Sequence, residues 1–76
     1  MIVRNMDRPG CITEVSAALS RDKINVATMQ VFRHKRGGLA VMVVETDQSI
    51  PENVVAELKM KEDILEVISL NLEEGR

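Results

Sequence analysis

Aromatic residues are almost absent from this sequence of 76 residues, in which Phe32 is the only one. Sheet proteins that recognise RNA stack the bases on several aromatic rings, and one ring does not supply such a surface. The chain also lacks a basic excess, because 10 Lys and Arg residues face 12 Asp and Glu residues for a net charge of −2. We therefore expect neither a nucleic acid nor an anionic membrane as a partner.

Cysteine is nearly absent as well, since Cys11 stands alone. A single cysteine excludes an internal disulfide and cannot by itself hold zinc or an iron–sulfur cluster, and a metal carrier of the ferredoxin-like type would need a Cys-x-x-Cys pair. We expect no metal and no cofactor in this chain. Two roles stay open for the Cys11 thiol, a reactive group at the start of a helix or a small packing residue.

Long apolar runs are missing too. No run approaches the roughly 20 residues of a membrane span, and the N-terminus lacks the parts of a signal peptide, so we expect a cytoplasmic protein. The sequence also has no paired nucleophile and base, which argues against catalysis by this chain alone. A single domain of this length is marginally stable, and that favours support from a second subunit or a parent protein.

Apolar periodicity predicts six elements in the order βαββαβ. They are a strand at residues 1–4, helix 10–21, strands 24–32 and 39–46, a helix ending near residue 61, and strand 64–72. The order indicates an α+β fold, a ferredoxin-like sandwich with a four-stranded antiparallel sheet and both helices on one face. The domain spans residues 1–72, and residues 73–76 form a solvated tail.

Local signals support this assignment. Apolar residues at three- and four-residue spacing give the first helix an inner face, formed by Cys11, Ile12, Val15, Ala18 and Leu19. Ser49 and Glu52 form a predicted capping box that opens the second helix. The inner face of that helix consists of Val54, Val55 and Leu58. A basic turn at residues 33–38 ends in a Gly pair that closes a hairpin.

The strand at residues 39–46 is apolar at both odd and even positions from Leu39 to Val44. In a lone domain of this shape such a strand should alternate between core and water. One explanation is that the apolar side chains tolerate exposure. The other is a homodimer or a neighbouring domain of the parent protein, which pairs with the sheet through its face or its edge.

A polar Pro-Gly turn at residues 5–12 joins the first strand to the first helix. Pro9 suits the first helical turn, and Gly10 has no Cβ to keep a ligand from the backbone. The free amides of the helix start, with the positive end of its dipole, attract a carboxylate or a phosphate. The turn therefore predicts a small-anion site, with a plain helix cap as the alternative.

Four segments occur in the order and spacing of an ACT domain, a family that the sequence resembles over almost its whole length. They are DRPG at 7–10, INVATMQV at 24–31, RGG at 36–38 and AVMVVETD at 40–47. Within the family, residues 27–31 and 44–47 most resemble the ACT domains of bacterial iron–sulfur L-serine dehydratase, found on its β chain. The ACT domains of D-3-phosphoglycerate dehydrogenase come next.

The resemblance implies a regulatory module in which two ACT domains pair and bind a small amino acid, with L-serine as the leading ligand. The first loop of one domain would meet the second strand of the other. The implied ligand-binding residues are Asn5, Asp7, Arg8, Pro9, Gly10, Cys11, Ile12 and Asn25. The chain departs from the family at Asn5, where histidine is frequent, and at Cys11, where an aliphatic residue is usual.

Physical chemistry is compatible with these implied roles. The ligand carboxylate would accept hydrogen bonds from the amides of Gly10, Cys11 and Ile12, and Asp7 would balance the ammonium. The Asn25 side chain has both a donor and an acceptor and could bridge the two groups. A local bond that fixes the start of its strand is the other interpretation of Asn25.

The function implied for the chain is regulation of a catalytic domain in its parent enzyme, with L-serine dehydratase first. That lyase deaminates L-serine on a 4Fe–4S cluster whose ligands would lie outside these residues. The alternatives are the ACT domain of D-3-phosphoglycerate dehydrogenase, where serine inhibits by feedback, and a structural dimerisation module without a ligand.

Overall fold

The computed structural model describes residues 1–33 and 38–69. Its elements are β1 (Ile2–Met6), α1 (Cys11–Arg21), β2 (Val26–Arg33), β3 (Leu39–Thr46), α2 (Glu52–Lys59) and β4 (Ile64–Ile68). The predicted order of elements is confirmed, and the bounds of β3 agree with the prediction. The tail at 73–76, the end of the predicted last strand and most of the hairpin turn lie outside the described residues.

The strands form one antiparallel sheet in the order β2-β3-β1-β4, which places β2 and β4 at its edges. Within this sheet β3 alternates, since Ala40, Met42 and Val44 are buried while Leu39 is exposed. The two helices are joined by an ion pair between Arg21 and Glu57. The predicted ferredoxin-like α+β fold is confirmed.

One hydrophobic core lies between the sheet and the helices. Its fully buried large side chains are Leu19, Met42, Leu58, Val3, Val15, Val44 and Val54. They come from β1, β3, α1 and α2, and burial of each stabilises the fold by roughly 1.5–3 kcal/mol. Most of the predicted inner face of each helix is therefore buried, but Val55 is only partly buried and Ile12 departs from the prediction. Ile12 is 44% exposed and lies beside a cavity described below.

The last strand, β4, does not alternate regularly between buried and exposed side chains. Ile64 and Val67 are buried, whereas Ile68 is 40% exposed. The register between β1 and β4 shifts by one residue at Leu65, which marks a β-bulge. The extra residue shifts the alternation of side chains, so that the inward positions 64 and 67 are three residues apart instead of two.

The predicted capping box of the second helix is also wrong. The helix begins at Glu52, Pro51 occupies the N-cap position, and no side chain caps the helix. Ile50 is buried with 4% of its surface exposed, and the residue before a proline is restricted to extended conformations. Because of both constraints the helix begins later in the sequence than predicted, and Ser49 lies two residues before the N-cap. The helix ends at Lys59, earlier than predicted.

The face of the sheet that points away from the helices carries apolar side chains. Phe32 is 55% exposed and Leu39 42% exposed, and Val41 and Val43 are half-buried. The prediction that a second copy or another domain covers this face or the sheet edge stays a prediction. Within residues 1–33 and 38–69, no helix has the length and apolar character needed to cross a membrane.

Candidate functional site

The loop between β1 and α1 is fixed to the rest of the domain by backbone hydrogen bonds. The Asp7 amide donates to the carbonyl of Gly38 at 2.7 Å, immediately before β3. The Met6 amide donates to the carbonyl of Asp63 at 2.8 Å, immediately before β4. The loop is therefore held at both sides, and its conformation is defined by the sheet.

Gly10 takes the N-cap position of α1 with φ 94° and ψ −16°, in the left-handed region. A Cβ placed on it would meet no atom within 4 Å, so the conformation and not the available space favours glycine. Pro9 lies before the N-cap and outside the helix, contrary to its predicted place in the first helical turn. The helix begins at Cys11 because Gly10 terminates the loop with a positive φ.

The amides at the start of α1 are only partly available. The Cys11 amide donates to the Arg8 carbonyl at 3.3 Å, and the Glu14 amide donates to the Gly10 carbonyl at 2.9 Å. Among the described residues, no backbone partner accepts from the amides of Gly10 and Ile12. These two N–H groups lie at the positive end of the helix dipole and can bind an anion, whereas the Cys11 amide is engaged.

A cavity of about 500 Å³ opens beside this loop. It is lined by Asn5, Asp7, Arg8, Pro9, Gly10, Cys11, Ile12, Val31 and Arg33. All the residues that were implied for the first loop are thus brought to one cavity. Two further lining residues, Val31 and Arg33, come from β2 and were missed. Val31 was placed in a predicted strand without a link to the loop, and Arg33 was assigned to the basic turn that follows it.

The strand register explains how β2 reaches the cavity. Asn5 of β1 pairs with Ala40 of β3, and Ala40 pairs with Arg33 of β2. These positions form one row across three strands, and the row faces the helices because Ala40 is buried. Side chains alternate between the two faces of a strand, so Val31, which pairs with the buried Met42, and Arg33, two residues later, share the inner face. This alternation was the signal that could have identified both as neighbours of the loop.

Asn5 is the one polar residue buried in the described part of the chain, with 3% of its surface exposed. Its Nδ2 donates to the carbonyl of Met6 at 2.8 Å. Its Oδ1 is buried and has no hydrogen-bond partner. An unpaired acceptor of this kind is costly and is uncommon in native proteins. In the wall of a cavity it is a position for a ligand donor such as an ammonium or a hydroxyl.

Two ion pairs surround the cavity. Arg33 Nε lies 3.3 Å from Asp7 Oδ1, with 62% and 17% of the respective side chains exposed. Arg8 Nη1 lies 2.9 Å from Asp63 Oδ1 in the turn before β4. The cavity thus contains opposite charges, one contributed by the loop and one by the edge strand.

Cys11 is buried with 2% of its surface exposed, and its Sγ donates to the Met6 carbonyl at 3.3 Å. This position supports its interpretation as a small packing residue. Within residues 1–33 and 38–69 no group of His, Cys, Asp and Glu side chains is arranged to hold a metal ion. The lining offers amide donors, one acceptor and a charge pair, which suits a small polar ligand.

Asn25 does not lie at the cavity of its own chain. It immediately precedes β2, whereas Arg33 ends the same strand. Its Nδ2 donates to Asp47 Oδ2 at 2.6 Å, and its amide donates to Gln48 Oε1 at 2.9 Å. The eight residues of β2 span about 26 Å. A site that contains both Asn25 and the loop therefore requires two chains.

Comparison with known proteins places these features in context. The ACT domain family matches residues 1–59. D-3-phosphoglycerate dehydrogenase of Methanocaldococcus jannaschii is 39% identical over 71 residues, and that of Bacillus subtilis is 36% identical over 70 residues. The probable L-serine dehydratase β chain of Bacillus subtilis is 36% identical over 70 residues. These alignments cover 93%, 92% and 92% of this chain, which spans 14%, 13% and 31% of the respective relatives.

Proposed function

This chain belongs to the ACT domain family, as its sequence resemblance predicted, and we propose that it senses L-serine at an interface between two copies. ACT domains are regulatory, bind amino acids and are attached to catalytic domains. We assign the chain to L-serine dehydratase, where it would regulate deamination of L-serine without catalysing it. The relatives are serine-metabolic enzymes, which supports L-serine as the ligand.

The observation that carries the proposal is the cavity beside the loop. The amides of Gly10 and Ile12 have no backbone partner among the described residues, and the Oδ1 of Asn5 is buried and unpaired. Donors on one side and an acceptor on the other match the carboxylate and the ammonium or hydroxyl of L-serine. In this proposal Asp7, Arg8, Pro9 and Cys11 complete the first half of the site.

The second half comes from Asn25 of the other copy. β2 is an edge strand, and two such edges related by a two-fold axis pair in antiparallel fashion. Antiparallel pairing places the start of one β2 beside the end of the other. The start carries Asn25 and the end carries Arg33 beside the cavity, so each interface would contain two equivalent sites.

Regulation follows from linkage between ligand and pairing. A ligand that contacts two chains has a higher affinity for the paired state than for the separated chains. L-serine therefore stabilises one arrangement of the two domains, and the attached catalytic parts respond to that arrangement. The size of the response is limited by the difference in affinity between the two states.

A complementation experiment tests this arrangement. Asp7→Ala and Asn25→Ala each remove one half of every site, so calorimetry should show little L-serine binding to either variant. A mixture in equal amounts forms heterodimers in which one site has both halves intact. Random exchange then restores about one quarter of the wild-type sites. Asn53→Ala is the matched control, because Asn53 is exposed and its Nδ2 donates to Asp22 Oδ2 at 3.0 Å, in the turn that follows α1, away from the cavity lining.

Three results would contradict the proposal. A dissociation constant above about 10 mM for L-serine and a verified wild-type dimer would contradict L-serine sensing. If Asn25→Ala bound L-serine as tightly as the wild type, Asn25 would not be part of the site. Failure of the mixture to restore binding, with exchange confirmed, would exclude a site shared between chains.

Two other functions have support of their own. The higher identity, 39%, belongs to a D-3-phosphoglycerate dehydrogenase, so feedback inhibition of that enzyme by serine is the alternative assignment. A structural pairing module without a ligand is favoured by the ion pair of Asp7 with Arg33, which occupies the charge available for an ammonium. A dimer in sedimentation that is indifferent to amino acids would support the structural module.

A further inference from the structure

The ion pair of Asp7 with Arg33 lies in the lining of the cavity and links two separate elements. Asp7 belongs to the loop before α1, while Arg33 is the last residue of β2. Arg33 Nε is 3.3 Å from Asp7 Oδ1, and 62% of the Arg33 side chain is exposed. Both residues line the cavity together with Asn5. An exposed, single-bonded pair of this kind is weak, so its separation costs little.

We propose that this pair opens to admit an amino acid, with Arg33 binding the carboxylate and Asp7 the ammonium. Arg33 is then the residue that selects zwitterions over amines at this site. The inference rests on the proposed function and adds to it a residue outside the loop and outside Asn25. One ion pair between protein groups is replaced by two ion pairs between protein and ligand.

The geometry of the charges supports the exchange. A guanidinium presents parallel N–H donors that match a carboxylate, and in the free protein its contact with Asp7 is made through Nε at 3.3 Å. Asp7 is less exposed than Arg33, at 17% of its side chain, so its charge is the less hydrated of the two. An arriving ammonium restores a partner to that carboxylate. Because the amino acid carries one charge of each sign, the net charge of the cavity is the same before and after binding.

Asn5 adds a second, independent feature of the same cavity. Its Oδ1 is buried, in a residue with 3% exposure, and has no hydrogen-bond partner in the free protein. An uncharged acceptor of this kind accepts a hydrogen bond from an ammonium or from a side-chain hydroxyl. The buried acceptor and the charge pair together distinguish a ligand site from a simple helix cap.

The test compares L-serine with L-serinamide, which keeps the ammonium and the side chain but lacks the carboxylate charge. Calorimetry on the 76-residue chain gives the ratio of the two affinities. We expect the wild type to prefer L-serine at least about 10-fold, because bonds to charged groups contribute that much. Arg33→Gln should reduce the preference to less than about 3-fold, and Arg33→Lys should retain part of it.

Arg4→Gln is the matched control, since Arg4 forms an ion pair of 2.9 Å with Glu66 outside the cavity. It should leave the ratio at the wild-type value. If Arg33 only supports Asp7, Arg33→Gln lowers the affinity for both ligands equally and leaves their ratio unchanged, which overturns the inference. In that case the proposed function still stands, because the wild type binds L-serine. If the wild type binds neither ligand, both fall.

A second measurement does not depend on a folded variant. The Nε–H group of Arg33 gives its own resonance in a nitrogen-resolved NMR spectrum of the wild type. L-serine should shift this resonance, because the Nε–H leaves Asp7 for the ligand carboxylate. A resonance that stays in place while L-serine saturates the loop amides would overturn the role of Arg33 and leave the loop site intact.

Discussion

Asn5→Leu should separate the stability of the domain from its binding function. Leucine has the branched shape of asparagine but no polar atoms, so the substitution keeps the side chain in its buried position. Asn5 is 3% exposed, and the buried Oδ1 has no partner. If this acceptor exists for a ligand, the free protein should be no less stable without it.

The magnitude follows from the hydrogen bonds around Met6. Loss of the 2.8 Å bond from Asn5 Nδ2 to the Met6 carbonyl costs about 0.5–1.5 kcal/mol. That carbonyl still accepts from the Arg8 amide at 2.9 Å and from Cys11 Sγ at 3.3 Å, so it is not left unpaired. Removal of the unpaired Oδ1 removes the cost of burying this acceptor, which raises the free energy of unfolding by about 1–3 kcal/mol. The balance of the two contributions lies between about −0.5 and 2.5 kcal/mol, so we expect Asn5→Leu to raise the free energy of unfolding by about 1 kcal/mol.

Urea unfolding at one chain concentration measures this change, since the stability of a dimer depends on concentration. Leu19→Ala is the control for a buried position and should lose about 2–5 kcal/mol. L-serine should raise the stability of the wild type but not that of Asn5→Leu. A loss of more than about 1 kcal/mol in Asn5→Leu would refute the reasoning, because it would show that the Oδ1 contributes to the fold.

Two further predictions concern the loop and the N-terminus. Gly10→Ala should lower the free energy of unfolding by about 1–2 kcal/mol in the same urea assay, because φ is 94° at Gly10 and the added Cβ meets no atom within 4 Å; an unchanged stability would contradict the left-handed conformation. Burial lowers the pKa of the Met1 amino group from its ordinary 8.0, a shift partly offset by Glu45. The unfolded chain therefore binds more protons near and below pH 8, so this contribution to stability is present above pH 8.0 and is lost as the pH falls through the lower folded pKa. The Met1 amino group donates to the Val44 carbonyl at 2.8 Å. One added upstream residue replaces this amine with an amide, which keeps a donor but does not titrate, so this part of the pH dependence of thermal unfolding should disappear; if it persists, another group causes it.

The fold was predictable because its signals are local. The apolar spacing of Val15 and Leu19 indicates a helix, and the run from Leu39 to Val44 indicates a central strand. The errors arise where contacts with a neighbouring element determine the local conformation. The bulge at Leu65 depends on pairing with β1, and burial of Ile50 delays α2.

The candidate site was predictable in part. The loop residues follow one another in sequence, so a single turn brings them to the cavity. Arg33 was missed because it was assigned to the hairpin turn; alternation indicates its face of the sheet, but its pairing with Ala40 is a contact between two strands that the fold sets. The engagement of Asp7 by Arg33 and of the Cys11 amide by Arg8 are likewise contacts that only the folded chain defines.

The central claim is that one amino acid contacts two copies of the chain, and NMR shift mapping with L-serine tests it most directly. Gly10 and Ile12 lie at the cavity, whereas Asn25 lies about 26 Å away at the other end of β2. A shared site predicts that L-serine shifts the amides of all three residues with one dissociation constant. Shifts confined to Gly10 and Ile12, with Asn25 unmoved at saturation, would contradict it.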